Sequence, residues 1–266
     1  MLLTLAVNSL SPLLEGDDPS MDLMEVPAFA RSELELHGLH IPTSLLRGWD
    51  LRRIERLRDE ADKAACPCLL LVEDAPQPLV ASDDAAVDAA IDRMGKVLHV
   101  GHRLGCSGVA MRVVKKTKQS ADDIFDELVE RLKGIVQSAE RLEMNLLLIP
   151  ESGITETPEQ LTALIRKVGG FRIGSFPDFE AACETPDPTA YLRSLTPYAS
   201  AVNASAHKFD AKGLHTAYDF EACVTAVTSV GYEGTVSLEY RGTTDPIDAL
   251  HATRALIEHV TEASSS

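Results

Sequence analysis

The sequence predicts a single (β/α)8 TIM barrel, a fold of the α/β class, and three observations carry this prediction. Eight short apolar runs recur along the 266 residues, each bounded by polar residues, glycine or proline. A helical pattern follows every run. Eight such pairs in about 260 residues match the length of a (β/α)8 barrel. A doubly wound sheet is the alternative, but it rarely needs eight regular repeats, and the sequence lacks its Gly-x-Gly-x-x-Gly fingerprint.

The predicted strands are short and almost wholly apolar. Parallel strands that are buried on both faces have this composition, whereas half-exposed strands alternate polar and apolar residues. In chain order the predicted strands span residues 3–8, 36–42, 68–73, 108–113, 146–150, 171–176, 201–204 and 235–239.

The predicted helices carry recognisable start and stop signals. Pro27 lies near the first turn of the first helix, where a missing N–H costs nothing. Ser120 is a good N-cap, Thr157 and Gln160 form a capping box, and Gly231 ends the seventh helix. In chain order the helices span residues 24–34, 50–65, 82–104, 120–142, 157–168, 187–196, 219–230 and 245–261.

Composition limits the partners and the location of the protein. No linker divides the chain, so we expect one domain over residues 1–261 and a frayed tail over 262–266. Asp and Glu number 41 against 25 Lys and Arg, which gives a net charge of −16. This excess disfavours both nucleic acid and anionic membranes as partners. No apolar run approaches the length of about 20 residues that a membrane-spanning helix needs. The five cysteines include no Cys-x-x-Cys pair, so we expect reduced thiols and a cytoplasmic protein.

Polar side chains cluster at the predicted strand ends, where barrel enzymes place their active sites. Asp178, His207 and Glu239 follow or end the last three strands, and Glu151 follows the fifth. One such residue alone is more often solvated or structural, but three on one rim favour a site. Glu239 ends an apolar strand, and a buried carboxylate without a cation or donors is costly. Oxygen and imidazole ligands suit Mn²⁺, Mg²⁺, Zn²⁺ or Co²⁺, so the pattern predicts a divalent metal.

Several segments resemble the sugar phosphate isomerase/epimerase family of xylose isomerase-like barrels. Residues 171–179, FRIGSFPDF, resemble the family's VGTLPDFGN strand, and residues 202–213, VNASAHKFDAKG, resemble VSAKSxDFDxxG. Residues 231–242, GYEGTVSLEYRG, resemble GYxGYVGIEYEG. PAFARSEL at 27–34 and LGC at 104–106 extend the resemblance nearly end to end. The resemblance implies isomerisation or epimerisation of a small sugar, sugar phosphate or polyol, with a divalent metal held by strands five to eight.

The resemblance carries over residue by residue, with departures. Asp178 and Glu239 match the family's ligands, and His207 falls at its histidine position. At strand five the ligand position is Ile149, and we expect a local shift of the chain to bring Glu151 to the metal instead.

The implied reaction assigns roles to further residues. A metal would acidify a C–H beside a carbonyl, and a carboxylate would then remove the proton. We expect Glu239 and Glu151 to be that catalytic pair, on opposite sides of the site. His40, at the family's strand-two glutamate position, together with Arg112 and Lys208 would orient substrate oxygens.

Two alternatives stay open. A lyase or dehydratase could use the same proton abstraction on the same barrel. A non-catalytic binding barrel that lost its metal is favoured by Ile149 and by Ser205, which replaces a family lysine. Such barrels are commonly dimers or tetramers, so a homo-oligomer is compatible with the sequence.

Overall fold

Eight parallel strands surround the centre of the protein in a computed structural model, which describes residues 1–16 and 18–264. In chain order they are β1 Leu2–Ala6, β2 Leu39–Pro42, β3 Cys68–Ala81, β4 Gly108–Lys116, β5 Asn145–Ile149, β6 Ile173–Ser175, β7 Ala201–Ala206 and β8 Thr235–Tyr240. The sheet order is β6-β5-β4-β3-β2-β1-β8-β7, so sequential strands are neighbours and β1 pairs with β8. The predicted (β/α)8 barrel is confirmed.

Helices cover the outside of the sheet. Over the described ranges they are α1 Ser11–Leu14, α2 Val26–Ser32, α3 Leu51–Lys63, α4 Asp84–Leu104, α5 Ala121–Arg141, α6 Pro158–Val168, α7 Phe179–Cys183, α8 Pro188–Leu195, α9 Phe220–Thr228 and α10 Pro246–Ser264. Eight of them correspond to the predicted helices, whereas the short α1 and α7 were not predicted. None of these helices is long and apolar enough to cross a membrane.

Two layers of apolar side chains account for the burial of both strand faces. Residues such as Leu71 and Leu146 are fully buried in the large cluster that strands and helices share. Their sequence neighbours Leu70 and Leu147 belong to a separate, smaller cluster with Phe176. Because successive strand side chains point to opposite faces, the smaller cluster fills the barrel interior.

The barrel closes where β6 meets β7. Two isolated parallel bridges join the strand ends, one between Ser175 and Ala199 and one between Asp178 and Asn203. The Asn203 N–H also donates to the Pro177 carbonyl at 2.8 Å. We call these contacts the β6–β7 junction. They fix Asp178 directly beside Asn203 at the mouth of the barrel.

Several boundaries differ from the sequence-based prediction. Strand β3 continues to residue 81 instead of 73 and pairs with β4 up to Lys116, which was expected in a loop. Beyond Val72 strand β3 no longer pairs with β2, and the free edge that results tolerates Pro76 and Pro78. Helix α10 extends three residues past 261. Residues 265–266 of the predicted tail lie outside the described residues, and the single-domain boundary stays a prediction.

Candidate active site at the barrel mouth

A cavity of about 310 Å³ opens at the carboxyl ends of the strands. This is at the small end of the usual size range of ligand sites, so it suits a small molecule. Its lining carries five carboxylates, from Asp74, Asp178, Glu180, Glu184 and Glu239, and two guanidinium groups, from Arg112 and Arg241.

Asp178 and Glu239 form the buried acidic centre of this cavity. Asp178 is 6% exposed and caps α7, since its Oδ1 accepts from the Ala181 N–H at 3.0 Å. Glu239, in β8, is 7% exposed. The Asn203 amide of β7 lies between them and donates to Asp178 Oδ2 at 2.6 Å and to Glu239 Oε2. Adjacent strand ends therefore place two carboxylates around one amide.

Arg241 supplies the positive charge for this centre. Its Nη2 lies 2.8 Å from Asp178 Oδ2 and 2.6 Å from Glu239 Oε2, and its Nη1 contacts Glu180. The backbone N–H of Arg241 donates to the Ala206 carbonyl at 2.8 Å, so the side chain starts from a fixed point beside β7. One guanidinium thus pairs with three carboxylates. We call Asp178, Asn203, Glu239 and Arg241 the arginine clamp.

The clamp sets the ionisation of its members. Burial would raise the pKa of Glu239, but the hydrogen bond and charge of Arg241, with the amides of Asn203 and Asn8, hold that pKa below its ordinary value. Burial likewise opposes the charge of Arg241, but Asp178 and Glu239 more than offset this and raise its pKa. Glu239 is therefore a carboxylate at neutral pH, and Arg241 stays charged.

His40 lies on the other side of the cavity and is neutral. It is 2% exposed, and burial lowers its pKa to about 3. Its Nε2 is 3.4 Å from Thr4 Oγ1, and its ring lies 5.9 Å from that of Phe176. The buried His40 Nδ1 and Ser237 Oγ have no hydrogen-bond partner within the described part of the chain.

Four of the seven predicted site residues line the cavity, and three do not. Asp178, Glu239, His40 and Arg112 belong to the lining. Glu151 lies outside the lining, because β5 ends at Ile149, two residues earlier. Its Oε2 lies 3.8 Å from Arg112 Nε. Ile149 itself occupies the cavity wall.

The other two outliers follow β7. His207 Nε2 lies 2.8 Å from Glu180 Oε1, a close approach whose angle does not make a hydrogen bond. Lys208, one residue further on, is exposed.

The predicted metal ligands do not come together in this arrangement. Among residues 1–16 and 18–264, no group of three or more His, Cys, Asp or Glu side chains is placed to hold a metal ion. Glu151 and His207 are engaged with Arg112 and Glu180, and the oxygens of Asp178 and Glu239 that face each other accept from nitrogen donors. These residues, as arranged here, do not fit a divalent metal.

Sequence reasoning missed two residues of the site, Asn203 and Ser205. Ser205 Oγ donates to Asp178 Oδ1 at 3.1 Å and accepts from the Glu180 N–H at 3.0 Å, so it ties α7 to β7. Both residues lie at alternate positions inside an apolar strand. That alternation was the available signal, because it places both polar side chains on the same face of β7.

The protein is thus a (β/α)8 barrel with a cavity of small-molecule size at the carboxyl ends of its strands. The model of the family described as xylose isomerase-like TIM barrel matches residues 31–262, so the chain belongs to that family. This confirms the resemblance drawn from the sequence motifs. A comparison with curated protein sequences gave no match.

Solved structures similar to this chain include sugar epimerases. An L-ribulose 3-epimerase is 16% identical with a TM-score of 0.82, covering 99% of this chain and 97% of its own. The 3-keto-D-glucoside 4-epimerase YcjR of E. coli is 15% identical with a TM-score of 0.78, covering 97% and 99%. The IolI protein, solved with a zinc atom, is 14% identical with a TM-score of 0.76, covering 99% of each chain. At these identities the likeness shows the fold alone.

Proposed function

We propose that this chain is an isomerase or epimerase that moves a proton beside the carbonyl of a small, uncharged, polyhydroxylated substrate. The observation that carries the proposal is the buried, ionised Glu239 carboxylate next to the Arg241 guanidinium at the mouth cavity. A base and a fixed cation side by side are what enolisation of a carbonyl compound needs. The sugar epimerases among the similar structures support the same reaction class.

The charge of the cavity favours an uncharged substrate over a sugar phosphate. Five carboxylates outnumber two guanidinium groups in the lining. Arg241 is already paired with three carboxylates, and Arg112 Nε lies 3.8 Å from Glu151. His40 carries no charge at neutral pH because burial lowers its pKa to about 3. A phosphate dianion would enter a site in which carboxylates already outnumber cations.

Two unpaired polar atoms in the cavity lining support a substrate with hydroxyl groups. His40 and Ser237 line the cavity, and His40 Nδ1 and Ser237 Oγ lack a hydrogen-bond partner among the described residues. Leaving such buried groups unpaired costs about 1–3 kcal/mol each. A small adjustment that brings substrate hydroxyls to them would remove this cost and orient the sugar.

The proposed reaction uses the chain's own residues. Glu239 accepts the proton from the carbon beside the carbonyl, the C–H electrons form the C=C bond of an enediolate, and Arg241 stabilises the charge on its oxygen. Isomerisation is complete when Glu239 returns the proton to the former carbonyl carbon and the hydroxyl proton moves to the former carbonyl oxygen. Epimerisation requires a second acid on the opposite face. Asp74 is the candidate, since it lines the cavity from β3 and accepts from Thr43 Oγ1 at 2.8 Å.

Proton exchange with solvent tests this proposal without knowledge of the product. The protein is incubated in D₂O with four- to six-carbon aldoses and ketoses and, as matched controls, their terminal phosphate esters, each with Mn²⁺ or with EDTA. We expect deuterium at the carbon beside the carbonyl of at least one free sugar, and at least tenfold slower exchange for its phosphate ester. Loss of a substituent instead of exchange would identify the lyase or dehydratase alternative. Saturable sugar binding without exchange would identify a non-catalytic binding barrel.

A further inference from the structure

The arginine clamp raises the question of which cation compensates the paired carboxylates. Asp178 and Glu239 are both buried, and two carboxylates that share a site cannot both stay ionised without a compensating charge. That charge is already present in the chain. Arg241 Nη2 lies between Asp178 Oδ2 and Glu239 Oε2, 2.8 Å from the first and 2.6 Å from the second.

The other oxygen of each carboxylate also accepts hydrogen bonds. Asp178 Oδ1 accepts from the Ala181 N–H at 3.0 Å and from Ser205 Oγ at 3.1 Å, and Glu239 Oε1 accepts from the Asn8 amide. Asn203 presents its NH₂ group to both carboxylates, so it offers a donor where a metal requires an acceptor. All four carboxylate oxygens therefore face hydrogen-bond donors.

Arg241 is held in place both at its guanidinium and at its backbone. Its second nitrogen contacts Glu180, and the Arg241 backbone N–H is bonded to the Ala206 carbonyl. The next residue is Gly242, and a Cβ there would collide with the His207 carbonyl. The backbone that carries Arg241 is thus packed directly against the end of β7. Strand five adds no competing ligand, because its last residue, Ile149, presents an aliphatic side chain to the cavity.

We infer that Arg241 is a built-in cation that takes the position of a divalent metal between Asp178 and Glu239. Two consequences follow. The wild-type protein binds no stoichiometric divalent metal at this site, and removal of the guanidinium converts the same carboxylates into a metal site. The inference rests on the proposed function for the location of the site, but it is tested by metal binding and not by turnover.

The experiment compares the wild type with Arg241→Met, which keeps much of the side-chain length without charge. The matched control is Arg112→Met, which removes the other cavity arginine and leaves the clamp intact. Arg241→Met/Glu239→Gln removes one carboxylate as well. Each protein is dialysed against Mn²⁺, its metal content is measured, and its melting temperature is recorded with Mn²⁺ and with EDTA.

We expect about one Mn²⁺ per chain and a Mn²⁺-dependent rise in melting temperature for Arg241→Met only. The wild type, Arg112→Met and the double variant should bind no stoichiometric Mn²⁺ and melt alike with Mn²⁺ or EDTA. If Arg241→Met folds only when Mn²⁺ is present, that rescue supports the inference equally. The inference would be overturned if the wild type bound one Mn²⁺ per chain and Glu239→Gln abolished that binding. It would also be overturned if Arg241→Met folded and bound no Mn²⁺. Solvent exchange by a metal-free wild type would leave the proposed function standing in either case.

Discussion

The two sides of the barrel mouth are built on different principles. On the β6–β8 side, Asp178, Glu239 and Arg241 are charged, buried and paired. On the β2–β5 side, the cavity wall includes the neutral His40 and the aliphatic Ile149. The difference separates the tasks of the site. The β6–β8 side can remove a proton and stabilise an oxyanion, whereas the β2–β5 side can orient what is bound and, through Asp74, supply a second acid.

We expect the largest effect from removal of the proposed base on the β6–β8 side. Glu239→Gln keeps the shape of the side chain and removes its charge and basicity, so we expect solvent exchange to fall by ~10²–10⁴-fold. The protein should stay folded, because the amide still offers an oxygen to Asn203 and Arg241. Exchange is measured by deuterium incorporation and folding by circular dichroism. Glu130→Gln, at an exposed position on α5, is the control. Equal rates for the two variants would remove Glu239 from the mechanism.

The second test concerns stability. Arg241→Met leaves Asp178 and Glu239 buried without their cation, and breaking such a pair costs about 3–5 kcal/mol of unfolding free energy. Arg112→Met breaks a partly exposed pair 3.8 Å long and should cost about 1 kcal/mol or less. Urea unfolding in EDTA at pH 7 measures both. Similar losses for the two variants would contradict the difference between the two sides of the mouth.

The third test uses the pH dependence of stability to probe the ionisation of His40. Burial lowers the pKa of His40 to about 3, whereas the same side chain in the unfolded chain titrates near 6.5. Between these values only the unfolded state binds the proton, so stability falls as pH is lowered through this window. His40→Gln cannot bind that proton. We therefore expect its unfolding free energy, relative to the wild type, to rise by about 2 kcal/mol between pH 6.5 and pH 4.5.

The control for this measurement is His251→Gln, at an exposed position on α10. Other titrating groups are common to all three proteins, so they cancel in the differences from the wild type. A pH dependence of His40→Gln that parallels the wild type would show that burial does not lower the pKa of His40 in the folded state. His40 would then not remain neutral over this pH range.

The smallest expected effect is at Glu151. Its pair with Arg112 is 3.8 Å long and about one-third exposed on both sides. We expect Glu151→Gln to change the unfolding free energy by less than about 1 kcal/mol and the exchange rate by less than about fivefold. The sequence-based hypothesis that Glu151 is a base and metal ligand expects a loss of ~10²-fold or more. Deuterium incorporation by this variant distinguishes the two.

The sequence was most informative where a single strand decides the outcome. Eight apolar runs gave the eight strands, since burial on both faces leaves a local pattern. Asp178 and Glu239 were found because each carboxylate directly follows or ends such a run. Both are local signals, and neither depends on how distant segments pack.

The parts that sequence reasoning missed depend on contacts between distant segments. Arg241 directly follows β8 in the chain, but its long side chain reaches three carboxylates only once β6, β7 and β8 are assembled. The short helix α7 is five residues long and is held by Asp178 and Ser205 more than by its own pattern. Glu151 was expected at the site because distance along the chain cannot show that the turn after β5 leads away from the cavity.

The β6–β7 junction has a consequence for how the barrel opens. Strand β6 has only three residues, and its contact with β7 consists of isolated bridges instead of a continuous ladder. Segments with few shared backbone hydrogen bonds open at lower free energy than the rest of a domain. One of the two bridges joins Asp178 to Asn203, so the same side chains fasten the barrel and build its site. A molecule that binds there and bridges both strands should slow amide hydrogen exchange most strongly at the β6–β7 junction. The exchange rate at the junction would then report whether the site is occupied.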